Sequence, residues 1–304
     1  MAFDVTEIEQ KATRMRRDIL SMIAAAGSGH PGGSLSATDI LAVLFFGDVL
    51  RYRASDPAWD ERDRFILSKG HAAPVLYAAL AHAGYFEPSE LITLRKFGSR
   101  LQGHPDSQKL PGVEVATGSL GQGLSIAAGM AYGLAADGRA QQQVCVLLGD
   151  GELQEGQVWE AALFAAHRRL GNLVAIVDSN GLQIDGALDD VVGLGDLSAK
   201  FAAFGWESRE VDGHNIASLK QVLDEAFAFQ HGPVAIIAHT VKGKGVSFME
   251  NQCGWHGKAP SNEQCASALD ELASLCDSPA SVLASATAAA GSAPVAHEQR
   301  TEVR

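Results

Sequence analysis

The residues best suited to chemistry lie between positions 148 and 186. Asp150 sits in the run Leu148-Gly149-Asp150-Gly151-Glu152, and Asn180 follows 30 positions later in Asp178-Ser179-Asn180-Gly181-Leu182. A hard divalent cation such as Mg²⁺ takes near-octahedral oxygen ligands and readily shares its shell with phosphate oxygens. Asp150 offers a carboxylate and Asn180 an amide oxygen, and the bend after Asn180 can turn a backbone carbonyl inward. Gly149 and Gly151 carry no Cβ, so a diphosphate can approach the backbone closely. A lone Gly-Asp-Gly is most often a turn; what gives this one specificity is the pattern around it.

That pattern is strand, loop, helix, strand. Cys145-Val146-Leu147-Leu148 precedes Asp150, and Leu173-Val174-Ala175-Ile176-Val177 precedes Asn180. Both runs read as buried strands of a parallel sheet, with 155–170 as the crossover helix. The two oxygen donors then emerge at one sheet edge, past adjacent strand C-ends, where open α/β sheets bind ligands. The helix after Gly151 is expected to aim its N-terminal amides at the anion.

The rest of the chain fits this frame. Helical periodicity covers 8–26, 37–49, 72–83 and 123–136, with further helices expected at 198–204, 216–229 and 262–275. Ser261 is a plausible cap for the last. Strand-like runs are 65–67, 144–148, 173–177 and 234–238, with a weaker one at 206–211. Strands alternating with helices predict an α/β fold, a parallel sheet with helices on both faces. Residues 1–277 read as one domain. Residues 278–304 are rich in Ala, Ser, Pro and charge, and are expected to form a disordered tail.

Four of the 10 histidines, His30, His71, His104 and His256, stand beside Gly or Pro in predicted loops. Such neighbours let an imidazole face a ligand, and near neutral pH it can donate, accept or shuttle a proton. Their spacing fits no common zinc arrangement. His82, His167, His214, His231, His239 and His297 read as structural or exposed.

Composition narrows the function classes. The net charge of −12, without a Lys/Arg-rich run, argues against a nucleic-acid partner. No apolar segment reaches the roughly 18–20 residues that span a bilayer, so no membrane role is expected. The N-terminus lacks the basic and apolar regions of a signal peptide. Cys145, Cys253, Cys265 and Cys276 form no C-x-x-C pair, and a reduced, cytoplasmic setting fits best. The segment Thr240-Val241-Lys242-Gly243-Lys244-Gly245 lacks P-loop spacing and reads as a mobile loop after the last strand.

Taken together, Gly149-Asp150-Gly151…Asp178-Ser179-Asn180 resembles the thiamine diphosphate motif, and the chain over roughly residues 10–275 resembles the N-terminal half of transketolases. The resemblance is carried by Gly29-His30-Pro31-Gly32-Gly33-Ser34, Leu67-Ser68-Lys69-Gly70-His71-Ala72, Gly103-His104-Pro105, Thr117-Gly118-Ser119-Leu120-Gly121-Gln122-Gly123 and Gly254-Trp255-His256-Gly257. One departure is Ser119, where many single-chain transketolases have Pro, which makes the loop less rigid. A second is Ser179, where many relatives have another acid.

The resemblance implies a thiamine diphosphate-binding fold. It implies Mg²⁺, with Ca²⁺ or Mn²⁺ as substitutes, held by Asp150, Asn180 and the backbone oxygen of Leu182. Cofactor contacts would come from these three and from His71, Gly118, Ser119, Leu120, Gly151, Glu152 and Glu155. His71 looks like the histidine near the diphosphate. His30 and His256 look like the pair around the sugar carbonyl and hydroxyl, and His104 like the contact to the donor's terminal hydroxyl. Glu155 looks like the acid at the subunit interface, and the 240–245 loop like one that closes over the cofactor. Single-polypeptide transketolases are about twice as long. The implied protein is therefore the first subunit of a split ketol transferase acting on sugar phosphates. Its partner would be a C-terminal, pyrimidine-binding subunit, in an α2β2 heterotetramer. A 2-oxo acid dehydrogenase α subunit would share Asp150 and Asn180, but the four histidines favour transketolase. The Ser119-Leu120-Gly121-Gln122 loop favours it over a deoxyxylulose phosphate synthase relative. A ketolase for an unusual sugar stays open. A non-catalytic module would be expected to lack the metal ligands.

Overall fold

The computed structural model describes residues 3–276; the segment expected to be a tail lies outside the described residues. The chain opens on α1 (Val5–Ala26), whose Asp4 cap accepts hydrogen bonds from the amides of Thr6 and Glu7. Ile8, Ala12, Met15, Ile19 and Ile23 recur at helical spacing and are buried. Gly27, at φ 64°, ends the helix in the left-handed conformation that favours glycine. Then follow α2 (Pro31–Ser36), α3 (Thr38–Phe46), β1 (Arg64–Leu67), α4 (Ala73–His82), α5 (Gln122–Ala136) and β2 (Val144–Gly149). The second half runs α6 (Gly156–His167), β3 (Leu173–Ser179), α7 (Leu188–Val192), α8 (Leu197–Ala203), β4 (Glu207–Asp212), α9 (Ile216–Ala228), β5 (Val234–His239) and α10 (Asn262–Cys276).

The five strands form one parallel sheet in the order β1-β2-β3-β5-β4. Alternate strand residues serve two cores. Phe65, Leu67, Cys145, Leu147, Val174, Ile176, Val234 and Ile236 face α1, α3, α4, α9 and α10. Ile66, Val144, Val146, Leu148, Ala175, Val177, Ala235 and Ile237 face α5, α6 and α8. The expected sheet with helices on both faces is therefore present, and β2 and β3 are buried along almost their whole length. Each fully buried aliphatic side chain contributes about 1.5–3 kcal/mol, so the sheet is a firm base for loops at its C-terminal edge.

Several element ends differ from expectation for local reasons. The predicted 37–49 helix stops at Phe46, because Gly47 caps it and Asp48 turns left-handed at φ 55°. The motif after His30 is itself helical, with Pro31 at the first helical position. The predicted 155–170 helix begins at Gly156 and ends at His167. Residues Gly151–Gln154 form a 3-10 turn instead, so the segment next to Asp150 presents one tight turn rather than an α-helix N-terminus. Ser261 does cap α10, reciprocally: the Gln264 amide donates to Ser261 Oγ at 3.2 Å and the Ser261 amide to Gln264 Oε1 at 3.0 Å.

Candidate active site

Four strands deliver polar side chains to one edge. The turn after β1 carries Ser68, Lys69 and His71; β2 ends at Asp150 and Glu152; β3 ends at Asp178 and Asn180; β5 leads to Thr240 and Lys242. The register explains the convergence. Gly149 pairs with Asp178 and Ser179 with His239, so these strands finish within a residue or two of one another.

The floor of the site is ionic and almost dry. Lys69 and Asp178 form an ion pair with side chains 2% and 0% exposed. Asp178 also accepts hydrogen bonds from the hydroxyls of Ser36 and Thr240, and Lys69 donates to the carbonyl of Gly33 at 2.9 Å. Burial pushes the Asp178 carboxyl up, but the Lys69 ammonium and these donors outweigh it and hold the group below its ordinary range. Asp150 is treated oppositely. It is 3% exposed and accepts only backbone amides, Gly151 at 2.8 Å and Gly181 at 2.6 Å. Burial first, then the neighbouring Asp178 charge, raise its pKa. A buried carboxylate that its surroundings penalise either takes up a proton or is offset by a cation.

The chemistry of the donor set agrees. Asn180 Oδ1 accepts from the Leu182 amide at 3.2 Å, which bends the backbone through Gly181. The Leu182 carbonyl faces Lys242, whose ammonium donates to it at 3.2 Å. Asp150, Asn180 and the Leu182 carbonyl thus offer oxygen only, as a hard cation with phosphate co-ligands requires. Among the described residues no group of three or more His, Cys, Asp or Glu could hold a metal by itself.

Glu152 and Glu155, both expected at the cofactor, diverge. The Glu152 carboxylate accepts from the Ser68 hydroxyl, the Gly121 amide at 2.8 Å and the Gly149 amide at 3.0 Å. It braces three loops from inside, and burial raises its pKa despite those donors. Glu155 is exposed and caps α6 without a side-chain hydrogen bond. Gly121, at φ 81°, lets the 117–123 loop pass over α6: a Cβ there would lie 2.7 Å from that of Glu155. Gly118 and Ser119 lie exposed on this loop and Leu120 is half-buried, its carbonyl held by Gln157 at 3.1 Å.

Above the floor three imidazoles meet. His71 and His256 stack with ring centroids 5.0 Å apart, and His30 lies 5.3 and 5.5 Å from them. His104 stands beside Gly118, its Cδ2 3.4 Å from where a Cβ on that glycine would be. Burial lowers all four pKa values, to about 4 for His30, about 2 for His71 and about 3 for His256. Nearby cations, Arg95 for His30 and His104, Lys69 for His71 and Lys242 for His256, push the same way. The imidazoles are therefore neutral at physiological pH. Lys242 links floor to ring cluster: its ammonium also lies 3.2 Å from His256 Nδ1, and burial, then Lys69, lowers its pKa to about 8.

The loop after β5 was expected to be mobile, yet it is tied down. The Val241 amide donates to His214 Nε2 at 2.8 Å, the Gly243 amide to the Gly32 carbonyl at 3.0 Å, and Lys242, Val246 and Met249 are buried. The glycines there serve approach rather than motion: a Cβ on Gly243 would collide with the backbone of Met249.

The profile of the family described as "Transketolase, thiamine diphosphate binding domain" matches residues 8–298. The chain belongs to the transketolase family. It is 41% identical over 266 residues to the 6-deoxy-6-sulfo-D-fructose transketolase subunit SqwG of Clostridium sp. (strain MSTE9), covering 88% of this chain and 96% of that one. It is 45% identical over 279 residues to human transketolase, covering 91% of this chain but 44% of the human one. Among solved structures, transketolase from Leishmania mexicana superposes with a TM-score of 0.81 at 31% identity, over 93% of this chain and 47% of that chain. The chain thus spans about half the length of the animal transketolases it matches and nearly all of the Clostridium subunit. Family membership makes this chain a thiamine diphosphate-binding domain of a transferase family.

Transketolase motifs pointed to Asp150, Asn180, Leu182 and the four histidines, and the fold gathers them at this one edge. Three charged residues that complete it were not singled out as site residues: Lys69, Asp178 and Lys242. A signal existed for each. Lys69 sits inside a quoted motif and Asp178 ends an apolar strand, where a charge is rarely buried unless paired. Lys242 lies in the loop that lacks P-loop spacing and was expected to close over the cofactor. Of the histidines set aside, His82 pairs with Asp18 at 2.7 Å, His239 with Glu210 at 2.7 Å and His214 with Asp39 at 2.7 Å; His297 lies outside the described residues. Cys145, Cys253 and Cys265 are free thiols. Among the described residues no helix is long and apolar enough to cross a membrane.

Proposed function

We propose that this chain is the diphosphate-binding subunit of a two-chain transketolase, moving a two-carbon ketol unit from a ketose phosphate to an aldose acceptor. The observation that carries the reading is the buried Asp150. It shares its sheet edge with oxygen donors and with three clustered, neutral imidazoles. Asp150, Asn180 and the Leu182 carbonyl would hold Mg²⁺, with Ca²⁺ or Mn²⁺ able to replace it. Gly118 and Leu120 would pack against the cofactor rings. Thiamine diphosphate, when bound, supplies the carbon nucleophile that accepts and releases the two-carbon unit.

This chain's residues bind, orient and move protons. Lys242, poised between the Leu182 carbonyl and His256, supplies positive charge to the diphosphate side. His30, His71 and His256, neutral and clustered, hydrogen-bond sugar oxygens and relay protons between them. His104, on the exposed rim, reaches the far end of the donor. Exposed Glu155 and the apolar side chains of Tyr132, Leu163 and Phe164 on α5 and α6 suit contact with a partner chain. That partner would supply the pyrimidine-binding wall, in an α2β2 assembly located in the cytoplasm.

The test is reconstitution. The chain and its pyrimidine-binding partner, mixed with thiamine diphosphate and Mg²⁺, are expected to transfer ketol units that neither transfers alone. Robust transfer by this chain by itself would refute the two-chain reading. The ketose panel includes sulfonated sugars, because the relative that matches this chain in length is named for 6-deoxy-6-sulfo-D-fructose.

A further inference from the structure

Arg95 lies outside every motif used so far, yet it touches two of them. Its backbone is left-handed, at φ 58°, unusual for a side chain with a Cβ. Its amide donates to the Leu101 carbonyl at 2.8 Å, which closes a turn inside the 95–101 loop. This conformation carries the guanidinium back under the histidines. Nη1 donates to Ser28 Oγ at 2.7 Å, and Nη2 reaches the Gly103 carbonyl and His30 Nδ1, each at 3.5 Å. Gly103 makes room for it: a Cβ there would lie 3.1 Å from Arg95 Cζ. One side chain thus spans the loop before His30 and the residue before His104.

A guanidinium only donates hydrogen bonds. His30 Nδ1, facing Nη2, must therefore accept, and a neutral His30 then carries its proton on Nε2. We infer that Arg95 is a positioning residue which holds His30 in the Nε2–H tautomer and sets the spacing between His30 and the His104 loop. His30 thereby faces the site as a hydrogen-bond donor, suited to a sugar carbonyl or hydroxyl oxygen. The charged and titratable groups around His30 are Arg95, His104 and Lys242, together with the rings of His71 and His256. Arg95 is the cation among them that hydrogen-bonds the ring. It also disfavours protonation of both His30 and His104.

The kinetic part of this inference rests on the proposed ketol transfer, whereas the tautomer does not. The test uses the full chain labelled with ¹⁵N-histidine, the His30 signals being assigned by their absence in His30→Asn. In the unsubstituted protein His30 is expected to show a protonated Nε2 and an unprotonated Nδ1 from pH 6 to 8. Arg95→Met is expected to give mixed tautomers and to move His30's titration up toward the ordinary histidine range. Arg95→Lys, which keeps the charge but not the planar fork, is expected to keep His30 neutral while the tautomers mix. In the reconstituted enzyme Arg95→Met is expected to lower kcat/KM for the donor ketose about 10- to 100-fold, the scale of losing a group that orients a reacting side chain, with cofactor affinity within about twofold. An unchanged His30 tautomer in a folded Arg95→Met variant would overturn the assignment, whatever the kinetics. Mixed tautomers with unchanged kinetics in an otherwise active enzyme would overturn its role in turnover.

Discussion

The floor and the rim of this site solve opposite electrostatic problems. At the floor, Lys69, Asp178, Glu152 and Asp150 are almost fully removed from water. Three of them are satisfied within the chain, the Lys69–Asp178 pair by each other and Glu152 by three donors. Asp150 accepts two backbone amides and, like Glu152, has no cationic partner at hydrogen-bonding distance. At the rim, the histidines are partly open, carry no acid partner at hydrogen-bonding distance, and are held neutral by burial and nearby cations. The contrast teaches a division of labour. The floor consists of buried charges fixed by ion pairing and backbone amides, while the rim presents neutral imidazoles as donors and acceptors.

The harshest way to break that contrast is to unfinish the floor. Lys69→Met leaves Asp178 charged and dry among hydroxyls that cannot neutralise it. Removing one partner of a buried pair costs about 3–5 kcal/mol, and that loss is expected in chemical denaturation of the chain. The double substitution Lys69→Met with Asp178→Leu is expected to recover part of it, since no charge is then stranded. If Lys69→Met unfolds at the wild-type denaturant concentration, the pair does not hold the floor together.

Asp150 sharpens the comparison by changing sign with its ligand. Its folded pKa is raised, so its stabilising effect is present below the unfolded carboxylate pKa and is lost as pH rises through the folded value. At neutral pH in a chelator it therefore opposes folding. Asp150→Asn is expected to raise the melting temperature of the metal-free chain and to abolish Mg²⁺-dependent thiamine diphosphate binding in the assembled enzyme. Calorimetry and titration read the two effects separately. Unchanged cofactor affinity would remove Asp150 from the metal site.

Rim substitutions are expected to cost turnover and little else. His104 is exposed and touches the Gly118 loop without entering the three-ring cluster. His104→Ala is expected to lower donor turnover about 10²-fold, at the low end for a lost hydrogen-bonding or proton-transfer group. Cofactor affinity and melting temperature are expected to stay near wild type. A variant that instead fails to bind thiamine diphosphate would move His104 from the rim to the floor.

How much of this was legible before any coordinates follows the same division. The sheet was, because β1, β2, β3 and β5 are apolar runs between glycine-rich turns, and a parallel strand buried on two faces leaves that trace. The strand ends carrying Asp150 and Asn180 were legible for the same reason. The 3-10 turn at Gly151–Gln154 was not: it depends on the Glu152 carboxylate reaching Gly121, 31 residues away, and local periodicity cannot register such a bond. Lys69 and Asp178 were hidden likewise, since their partnership joins positions 109 residues apart. Arg95 was hidden most thoroughly, because a left-handed arginine has no sequence mark. The histidines stood out only through neighbouring Gly and Pro, and family resemblance divided their roles.

The smallest expected effect comes from acid. The folded pKa values of His30, His256 and His71, about 4, 3 and 2, lie below the ordinary value of 6.5. Between pH 6.5 and about 4 the unfolded chain binds protons that the native cluster refuses. Stability is then fully present above pH 6.5 and is lost as pH falls through that window. Because the rings are partly open, water screens part of the effect and the decline is gradual. In the floor, Asp178, its pKa held down by Lys69, acts in the same direction only at lower pH, whereas Asp150 and Glu152, their pKa values raised by burial, act in the opposite direction. The two regions therefore separate along the pH axis. Melting temperatures of the metal-free chain, measured from pH 7.5 to 4.5, are expected to fall less steeply in the His30→Asn, His256→Asn double variant than in wild type. Lys69→Met is expected to lie lowest at neutral pH and to fall less steeply than wild type, because Asp178, without its cation, takes up a proton in the folded chain as pH drops. Parallel curves for the wild type and the double histidine variant would mean that the rim imidazoles take up protons as freely folded as unfolded, and the neutral rim would be wrong.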